Sequence, residues 1–151
     1  MATLQADLAA SGVIPRCHHV GVHAQYAKYT TASGTFSVGD IIQMMKIPDG
    51  AKVVGGWLKC SALVGSTVAK INLGTRGDND GFIASQTCKT ARSISIDGSN
   101  GALLGTTHDR TDSDTTRYTM IEVQIGGTSL TGTGTVSIEA CLYYYQATES
   151  H

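Results

Sequence analysis

The chain has little charge and no long apolar run. Charged residues make up 15% of its 151 residues, and the net charge is −1. Because no basic surface results, no attraction to nucleic acid or to an acidic membrane surface is expected. No window approaches the roughly 18 consecutive apolar residues of a membrane helix, and no basic segment followed by an apolar stretch marks a secretory signal. We therefore predict no nucleic-acid partner, no membrane segment and no export from a cytoplasm.

The four cysteines show none of the spacings that bind metal or support redox exchange. Cys17, Cys60, Cys88 and Cys141 are widely separated and form no CxxC pair. Neither a zinc site nor a redox motif is therefore expected. Since disulfides are rare in a reducing compartment, we predict free and mostly buried thiols.

Proline occurs only twice, whereas glycine, threonine and serine are abundant. The 18 glycines suit tight reversals, and threonine suits a pleated surface because its branched Cβ packs well there. This composition predicts many short strands joined by turns. A chain of this length fits one domain, which buries roughly 68–70% of the surface of the unfolded chain.

One part of the sequence joins strand patterning to turn chemistry. Apolar and polar positions alternate over 40–47 and again over 51–60, which is typical of β-strands. Pro48 presets a turn φ, and Gly50 supplies the free backbone conformation of a tight reversal. We therefore predict a β-hairpin closed by this turn.

Further segments continue the strand pattern. The alternating segments are 17–30, 67–73, 92–96, 118–125 and 136–144. The last two are predicted to pair as a terminal hairpin, and the polar, glycine-rich segment 74–81 is predicted to be a loop. Together the segments give about seven or eight strands and no long helical pattern, which favours a two-sheet sandwich or jelly roll over an α/β fold.

The first 16 residues differ from the rest of the chain. Leu4 and Leu8 have helical spacing, but Ser11-Gly12 and Pro15 would end a helix before the first strand. This segment is therefore predicted to be an arm rather than a core element. The predicted units are an extended N-terminal arm at 1–16, a β-sandwich domain at 17–146 and a C-terminal tail at 147–151.

The segment 74–81 contains two sequences that invite a binding interpretation. Arg76-Gly77-Asp78 spells the tripeptide of integrin ligands, but any acidic, glycine-rich loop can contain it by chance. The same loop continues with Asn79 and Asp80, which offer oxygen ligands for Ca²⁺. The EF-hand pattern, however, needs a Glu where this chain has Lys89. A solvated turn is the favoured interpretation.

The histidines do not form a metal or catalytic pattern either. His18, His19 and His23 are close in sequence, but His19 and His23 lie four residues apart, which on a strand is about 13 Å and too far for one ion to bridge. His18 points to the opposite face of the strand from His19. His108-Asp109 with Asp112 and Asp114 offers an acid–base pair, but no G-x-S-x-G elbow accompanies it. We predict no metal, no cofactor and no enzymatic activity.

Adjacent residues of a strand point to opposite faces of a sheet. Met44, Met45 and Trp57 therefore cannot all enter one core, and neither can the three consecutive tyrosines at 143–145. The Met, Trp and Tyr side chains that do not enter the core have two possible coverings. One is the second sheet or the arm of the same chain, and the other is another subunit. Tyr, Trp and Met are enriched at subunit interfaces.

Several sequences follow one another in an order that matches a known pattern. They are SVGDIIQMMKIP, PDGAKVVGG, GTRGDNDGF, TRYTMIEVQI and TGTVSIEACLYYY, and the match spans residues 35–145. In strand and turn pattern the chain resembles the small capsid decoration, or cement, proteins of tailed bacteriophages. The resemblance implies a jelly-roll-like antiparallel β-sandwich that sits as a homo-oligomer on the outside of an icosahedral head and braces neighbouring major capsid subunits. It implies no catalytic residue.

The first hypothesis is therefore a structural protein of the phage virion. Its partners would be the major capsid protein and further copies of itself, as a homodimer or homotrimer. It would reside on the capsid exterior after assembly in the host bacterial cytoplasm. The predicted interface residues are Leu4, Leu8, Val13, Ile14, Met44, Met45, Trp57, Tyr143 and Tyr145.

The alternative hypothesis is a carbohydrate- or receptor-binding β-sandwich module of a phage fibre. Sandwiches and jelly rolls often carry lectin sites. An exposed aromatic platform beside convergent polar groups would distinguish such a module, and the strand position of Trp57, the single tryptophan, favours its burial.

Overall fold

The computed structural model of the chain is built from strands and turns. It describes residues 2–6, 21–32, 35–61, 70–87, 91–99, 101, 103–105, 107–108, 118–128, 130–131 and 135–146. The strands are β1 (Thr3–Gln5), β2 (His23–Thr31), β3 (Thr35–Phe36), β4 (Ile41–Pro48), β5 (Ala51–Cys60), β6 (Lys70–Thr75), β7 (Asp78–Gln86), β8 (Arg92–Ile96), β9 (Thr107–His108), β10 (Tyr118–Gly126), β11 (Leu130–Thr131) and β12 (Val136–Gln146). No helix occurs among the described residues, so none there is long and apolar enough to cross a membrane. The prediction of an all-β protein is confirmed.

Two sheets pack face to face. The first sheet has the order β1-β4-β10-β6-β7, and the second has the order β2-β12-β5-β8 with β9 also paired to β5. Strands β3 and β11 form a short separate ladder, and the only parallel pairing among the described strands is β1 with β4. Fully buried side chains from both sheets, such as Ile71, Val123 and Leu58, fill the space between them. The fold is a jelly-roll-like antiparallel β-sandwich, as predicted.

The turn after β4 does not close a hairpin. β4 lies in the first sheet, where it pairs with β1 and β10, and β5 lies in the second, where it pairs with β12 and β8. The chain crosses between the sheets at Gly50, whose φ of 78° favours glycine. The hairpin prediction is wrong because turn chemistry shows where the chain reverses but not whether the flanking strands pair.

The predicted terminal hairpin is wrong for the same reason. β10 pairs with β4 and β6 in the first sheet, whereas β12 pairs with β2 and β5 in the second. Connections that carry the chain from one sheet to the other are typical of jelly rolls and Greek keys. Alternation within a segment identifies a strand, but it does not identify the strand beside it.

The segment 74–81, predicted to be a loop, forms a hairpin. β6 and β7 pair up to Thr75 opposite Asp78, and Arg76 and Gly77 make the turn. A Cβ at Gly74 would collide with the carbonyl oxygen of Asp78, so glycine permits this close approach. The loop prediction is wrong because an edge hairpin with a polar tip lacks the apolar alternation that marks a buried strand.

A β-bulge in β4 brings two adjacent methionines into the core. Opposite β10, Ile121 pairs with Met45. The next residue, Glu122, pairs with Gln43, which leaves Met44 as the extra residue of the bulge. Met44 and Met45 are both fully buried, so the prediction that they are interface residues is wrong. The expectation that Met44, Met45 and Trp57 cannot all lie inside is correct only because Trp57 is partly exposed.

Residues 2–6, the start of the predicted arm, form an edge of the first sheet. β1 pairs with β4 so that Leu4 lies opposite Ile42, and the Ala6 N–H donates to the Gln43 carbonyl oxygen at 2.7 Å. Leu4 packs against the core and Ala6 is buried. For these residues the prediction of an arm outside the sheets needs correction, because β1 covers the backbone edge of β4. The predicted boundary at residue 16 lies outside the described residues.

The cysteines do not all behave alike. Cys60 is fully buried and disulfide-bonded, whereas Cys141 is a free, buried thiol. The prediction of free thiols is confirmed for Cys141 and wrong for Cys60. Cys17 and Cys88 lie outside the described residues. Spacing along the sequence does not reveal a disulfide, because pairing depends on the distance between cysteines in the fold.

Candidate interaction surface

The outer face of the second sheet carries a cluster of exposed aromatic side chains. β2, β12 and β5 pair so that Tyr26, Cys141 and Trp57 form one row across the sheet. Tyr143 lies two residues further along β12 on the same face, and Val54 of β5 lies beside it. We call these five residues the aromatic face.

Apart from the buried Cys141, the residues of the aromatic face are exposed or partly exposed although they are large and apolar. The exposed fractions are 49% for Tyr26, 43% for Val54 and 38% for Tyr143, and Trp57 is partly exposed. The rings of Tyr26 and Trp57 have centroids 6.1 Å apart and planes tilted by 51°. Contiguous exposed apolar surface of this kind is typical of a binding site.

Cys141 lies in the row between the Tyr26 and Trp57 rings. Its burial raises the pKa of the thiol, and a hydrogen bond with Tyr143 acts in the opposite direction. The thiol is therefore protonated at neutral pH and packs as a small apolar group.

A row of charges borders the aromatic face. Lys28, Glu139 and Lys59 lie side by side on β2, β12 and β5. Lys28 Nζ is 3.6 Å from Glu139 Oε1, and the Tyr26 hydroxyl donates to Glu139 Oε2 at 3.0 Å. Desolvation and the neighbouring Glu139 carboxylate both raise the pKa of Tyr26, so its hydroxyl remains a hydrogen-bond donor at neutral pH.

Two backbone irregularities in β5 shape this surface. The register with β12 shifts between Tyr143 and Tyr144, which leaves Val54 as the extra residue of a bulge. Gly56 has a φ of 148°, and a Cβ there would collide with the carbonyl oxygen of Cys141. The two successive glycines in the middle of a strand are the sequence signal for this irregularity.

The outer face of the first sheet is polar by contrast. The Gln5 side-chain amide donates to Gln43 Oε1 at 2.8 Å, and Gln43 Nε2 donates to Glu122 Oε1 at 3.3 Å. Glu122 is only 4% exposed. Burial raises its pKa, and the hydrogen bond from Gln43 acts in the opposite direction. Because these polar groups bond one another, the first sheet resembles an ordinary solvent face rather than a docking surface.

The chain matches no known protein family and no curated protein. Its fold matches chains of solved phage capsids. A chain in the capsid of Ralstonia phage GP4 has a TM-score of 0.73 and 18% identity, over 97% of this chain and 99% of that one. A chain in the capsid asymmetric unit of cyanophage Pam1 has a TM-score of 0.66 and 17% identity, over 88% of this chain and 90% of that one. At these identities the likeness shows a shared fold.

The structure places part of the predicted interface on the outer side of the second sheet. Trp57 and Tyr143 belong to the aromatic face, and Tyr145 follows Tyr143 on the same side of β12. Tyr144 points inwards and is 2% exposed. The predicted alternation of the three tyrosines is thus confirmed, while their role at an interface stays a prediction.

The remaining predicted interface residues do not contribute to this surface. Met44, Met45 and Leu4 pack in or against the core of this chain, and Leu8, Val13 and Ile14 lie outside the described residues. Sequence reasoning missed Tyr26, Val54 and Cys141. For Tyr26 the sequence pattern is misleading, because Tyr26 shares a face of β2 with Val22 and Ala24, and the structure exposes this more apolar face while it buries Gln25.

The other candidate sites of the sequence do not come together in the described part of the chain. Three or more metal-ligating side chains never cluster among the described residues. Arg76 and Gly77 form the tip of the β6–β7 turn, and Asp78 begins β7. Burial and the neighbouring Asp80 raise the pKa of Asp78. The ring of His23 lies 5.9 Å from that of Tyr144, while His18, His19 and the aspartates at 109, 112 and 114 lie outside the described residues.

Proposed function

We propose that the protein is a structural, non-enzymatic component of a tailed-phage virion. It binds the outer surface of the assembled capsid and stabilises contacts between major capsid protein subunits. The observation that carries this proposal is the likeness over nearly the whole chain to chains of two phage capsids. Residence on the capsid exterior, after assembly in the host cytoplasm, is part of the proposal.

The aromatic face supports a role in docking to protein. Burying a side chain of this size contributes about 1.5–3 kcal/mol, and aromatic residues dominate the energetics of protein interfaces. A protein that binds only the assembled shell stabilises the shell by its differential affinity. Many copies on one lattice make weak individual contacts effective.

The proposal is tested with capsid shells that lack the protein. Added wild-type protein should co-sediment with the shells and raise their melting temperature. A Tyr26→Ser/Trp57→Ser double variant should bind less well, because it removes two apolar anchors through which the protein would contact its neighbours on the shell, whether these are capsid subunits or further copies of itself. Gln5→Ser, on the outer face of the first sheet, is the matched control and should bind like the wild type. Absence of wild-type binding, with no change in melting temperature, would refute the proposal.

A carbohydrate- or receptor-binding module is the second candidate, and the aromatic face is the observation that favours it. Tyr26 is exposed and Trp57 is partly exposed beside the polar side chains of Lys28 and Glu139, which is the arrangement expected of a sugar site. The 51° tilt between the two rings does not provide one flat platform. A glycan array distinguishes the candidates, since specific hits that disappear in Trp57→Ser would establish the sugar-binding function.

A further inference from the structure

The charges beside the aromatic face alternate in sign. Lys28, Glu139 and Lys59 lie on adjacent strands in direct register, so the row reads positive, negative, positive. Glu139 is held in place by the ion pair with Lys28 and by the Tyr26 hydroxyl. Lys59 is exposed on the other side of Glu139. Consider a facing surface that carries the same row in reverse order and is displaced by one strand. It would place a lysine against Glu139 and a glutamate against Lys59.

We propose that a second copy of this chain covers the aromatic face and forms a homodimer with two-fold symmetry. A two-fold interface uses the same patch on both copies, and the alternating row is self-complementary. The inference rests on the proposed function only in treating this face as a docking surface, and it is tested in solution without capsid shells.

The charge row selects the position of the symmetry axis. An axis that runs parallel to the strands, midway between β12 and β5, places β12 of one copy over β5 of the other. Glu139 then faces the partner's Lys59, and the same contact occurs a second time by symmetry. An axis along β12 itself would place the two copies of Glu139 against each other, and like charges opposed across an interface are unfavourable.

Side-chain size supports the same axis. It places Trp57 over the partner's Cys141 and Tyr26 over the partner's Ser95, because Ser95 of β8 lies in the same row as Trp57. Each large ring therefore meets a small side chain. Two sheet faces that pack at about 10 Å interdigitate in this way.

The experiment measures the mass of the purified protein in solution by light scattering over a range of concentrations. The wild type should have twice the 15.8 kDa mass of the chain. Lys59→Glu and Glu139→Lys should each raise the Kd of the dimer about tenfold or more, because each creates two like-charge contacts. Circular dichroism checks that both variants keep the fold. Lys70→Glu, on the first sheet, is the matched control and should remain dimeric.

Mixing the two variants provides the decisive arm. A heterodimer of Lys59→Glu with Glu139→Lys has an opposite-charge pair at both symmetry-related contacts, so an equimolar mixture should regain the dimer mass. A purely structural effect of either substitution would not be rescued by the other chain. Rescue would therefore assign the contact to two copies of this surface.

Three results would overturn the inference. The first is a wild-type protein that is monomeric at about 100 μM, a concentration above the Kd of even micromolar complexes. The second is an equimolar mixture of the two variants that stays monomeric. The third is a pair of single variants that dimerise as tightly as the wild type. A monomer that still binds capsid shells through the aromatic face would mean that the face docks another capsid protein. The proposed function would then stand while the homodimer would not.

Discussion

Gln25 is a polar side chain that points into the core. It is 8% exposed, and among the described residues neither its Oε1 nor its Nε2 has a hydrogen-bond partner. An unpaired buried amide costs about 1–3 kcal/mol. We expect Gln25→Met, which keeps the length of the side chain, to raise the free energy of unfolding by about 1–2 kcal/mol. Urea unfolding followed by circular dichroism measures the change.

Gln43 provides the matched control for this substitution. Its amide donates to the buried carboxylate of Glu122, so Gln43→Met should lower the free energy of unfolding. If Gln25→Met is no more stable than the wild type, the side chain is better accommodated in the core than its geometry indicates.

Cys60 is the second buried residue with a measurable consequence. It is disulfide-bonded, and removing a native disulfide typically costs about 2–4 kcal/mol. We expect Cys60→Ala to lower the melting temperature, and a reductant to have no further effect on that variant. The free thiol at Cys141 is the control, because Cys141→Ala should remain sensitive to reductant. A wild-type protein whose unfolding ignores reductant would contradict this assignment.

Glu122 and Asp40 should change stability with pH in opposite directions. Burial raises the pKa of Glu122, so its contribution is present below the unfolded pKa of about 4.3 and is lost as pH rises through the folded pKa. Backbone N–H groups of Ala2 and Ser37 lower the pKa of Asp40. That contribution is present above the unfolded pKa of about 3.9 and is lost as pH falls through the folded pKa.

Glu122→Gln should therefore gain stability relative to the wild type as pH rises from about 3 to 7. Asp40→Asn should lose stability relative to the wild type over the same interval. Urea unfolding at several pH values measures both differences. Differences that stay constant with pH would show that neither carboxyl pKa differs between the folded and unfolded states.

At the scale of single elements, β5 depends on a glycine with unusual geometry. Gly56 has a φ of 148°, and a Cβ would collide with the Cys141 carbonyl oxygen of β12. We expect Gly56→Ala to cost at least about 1–3 kcal/mol, as strained backbone positions do. Gly77 is the control, because a Cβ there meets nothing within 4 Å. Equal unfolding free energies for the two alanine variants would contradict the close β5–β12 approach.

The sequence predicts most strands of this protein, but not their partners. Alternation locates β4, β5, β10 and β12 because each buries one face. The turn chemistry after β4 is compatible both with a hairpin and with a crossing between sheets, so the pairing comes from tertiary packing. The bulge at Met44 is invisible to strict alternation for a related reason, since the extra residue depends on the register with β10.

The candidate surface is predictable to a similar extent. Trp57 and Tyr143 are found from the rule that adjacent residues cannot share a face. Tyr26 and Cys141 join them only because β2 and β5 flank β12, which is a property of the sheet order. A cluster drawn from three strands is recognisable once the strands have been placed side by side.

At the scale of the whole molecule, the two outer faces of the sandwich differ. The first sheet presents glutamines that bond one another and a buried glutamate, whereas the second presents exposed tyrosines, a tryptophan and a row of alternating charges. Since both faces belong to one small domain, this difference is the reason for proposing the second sheet, rather than the first, as the side that meets a protein partner.

Hydroxyl-radical footprinting tests most directly whether the aromatic face is buried in an assembly. Oxidation of Tyr26, Trp57 and Tyr143 would be measured by mass spectrometry in particles that carry the protein and in the Lys59→Glu variant alone. Tyr118, on β10 of the first sheet, serves as the internal reference. We expect strong protection of the three aromatic-face residues relative to Tyr118 in the particles. Equal reactivity of all four residues in both samples would contradict it.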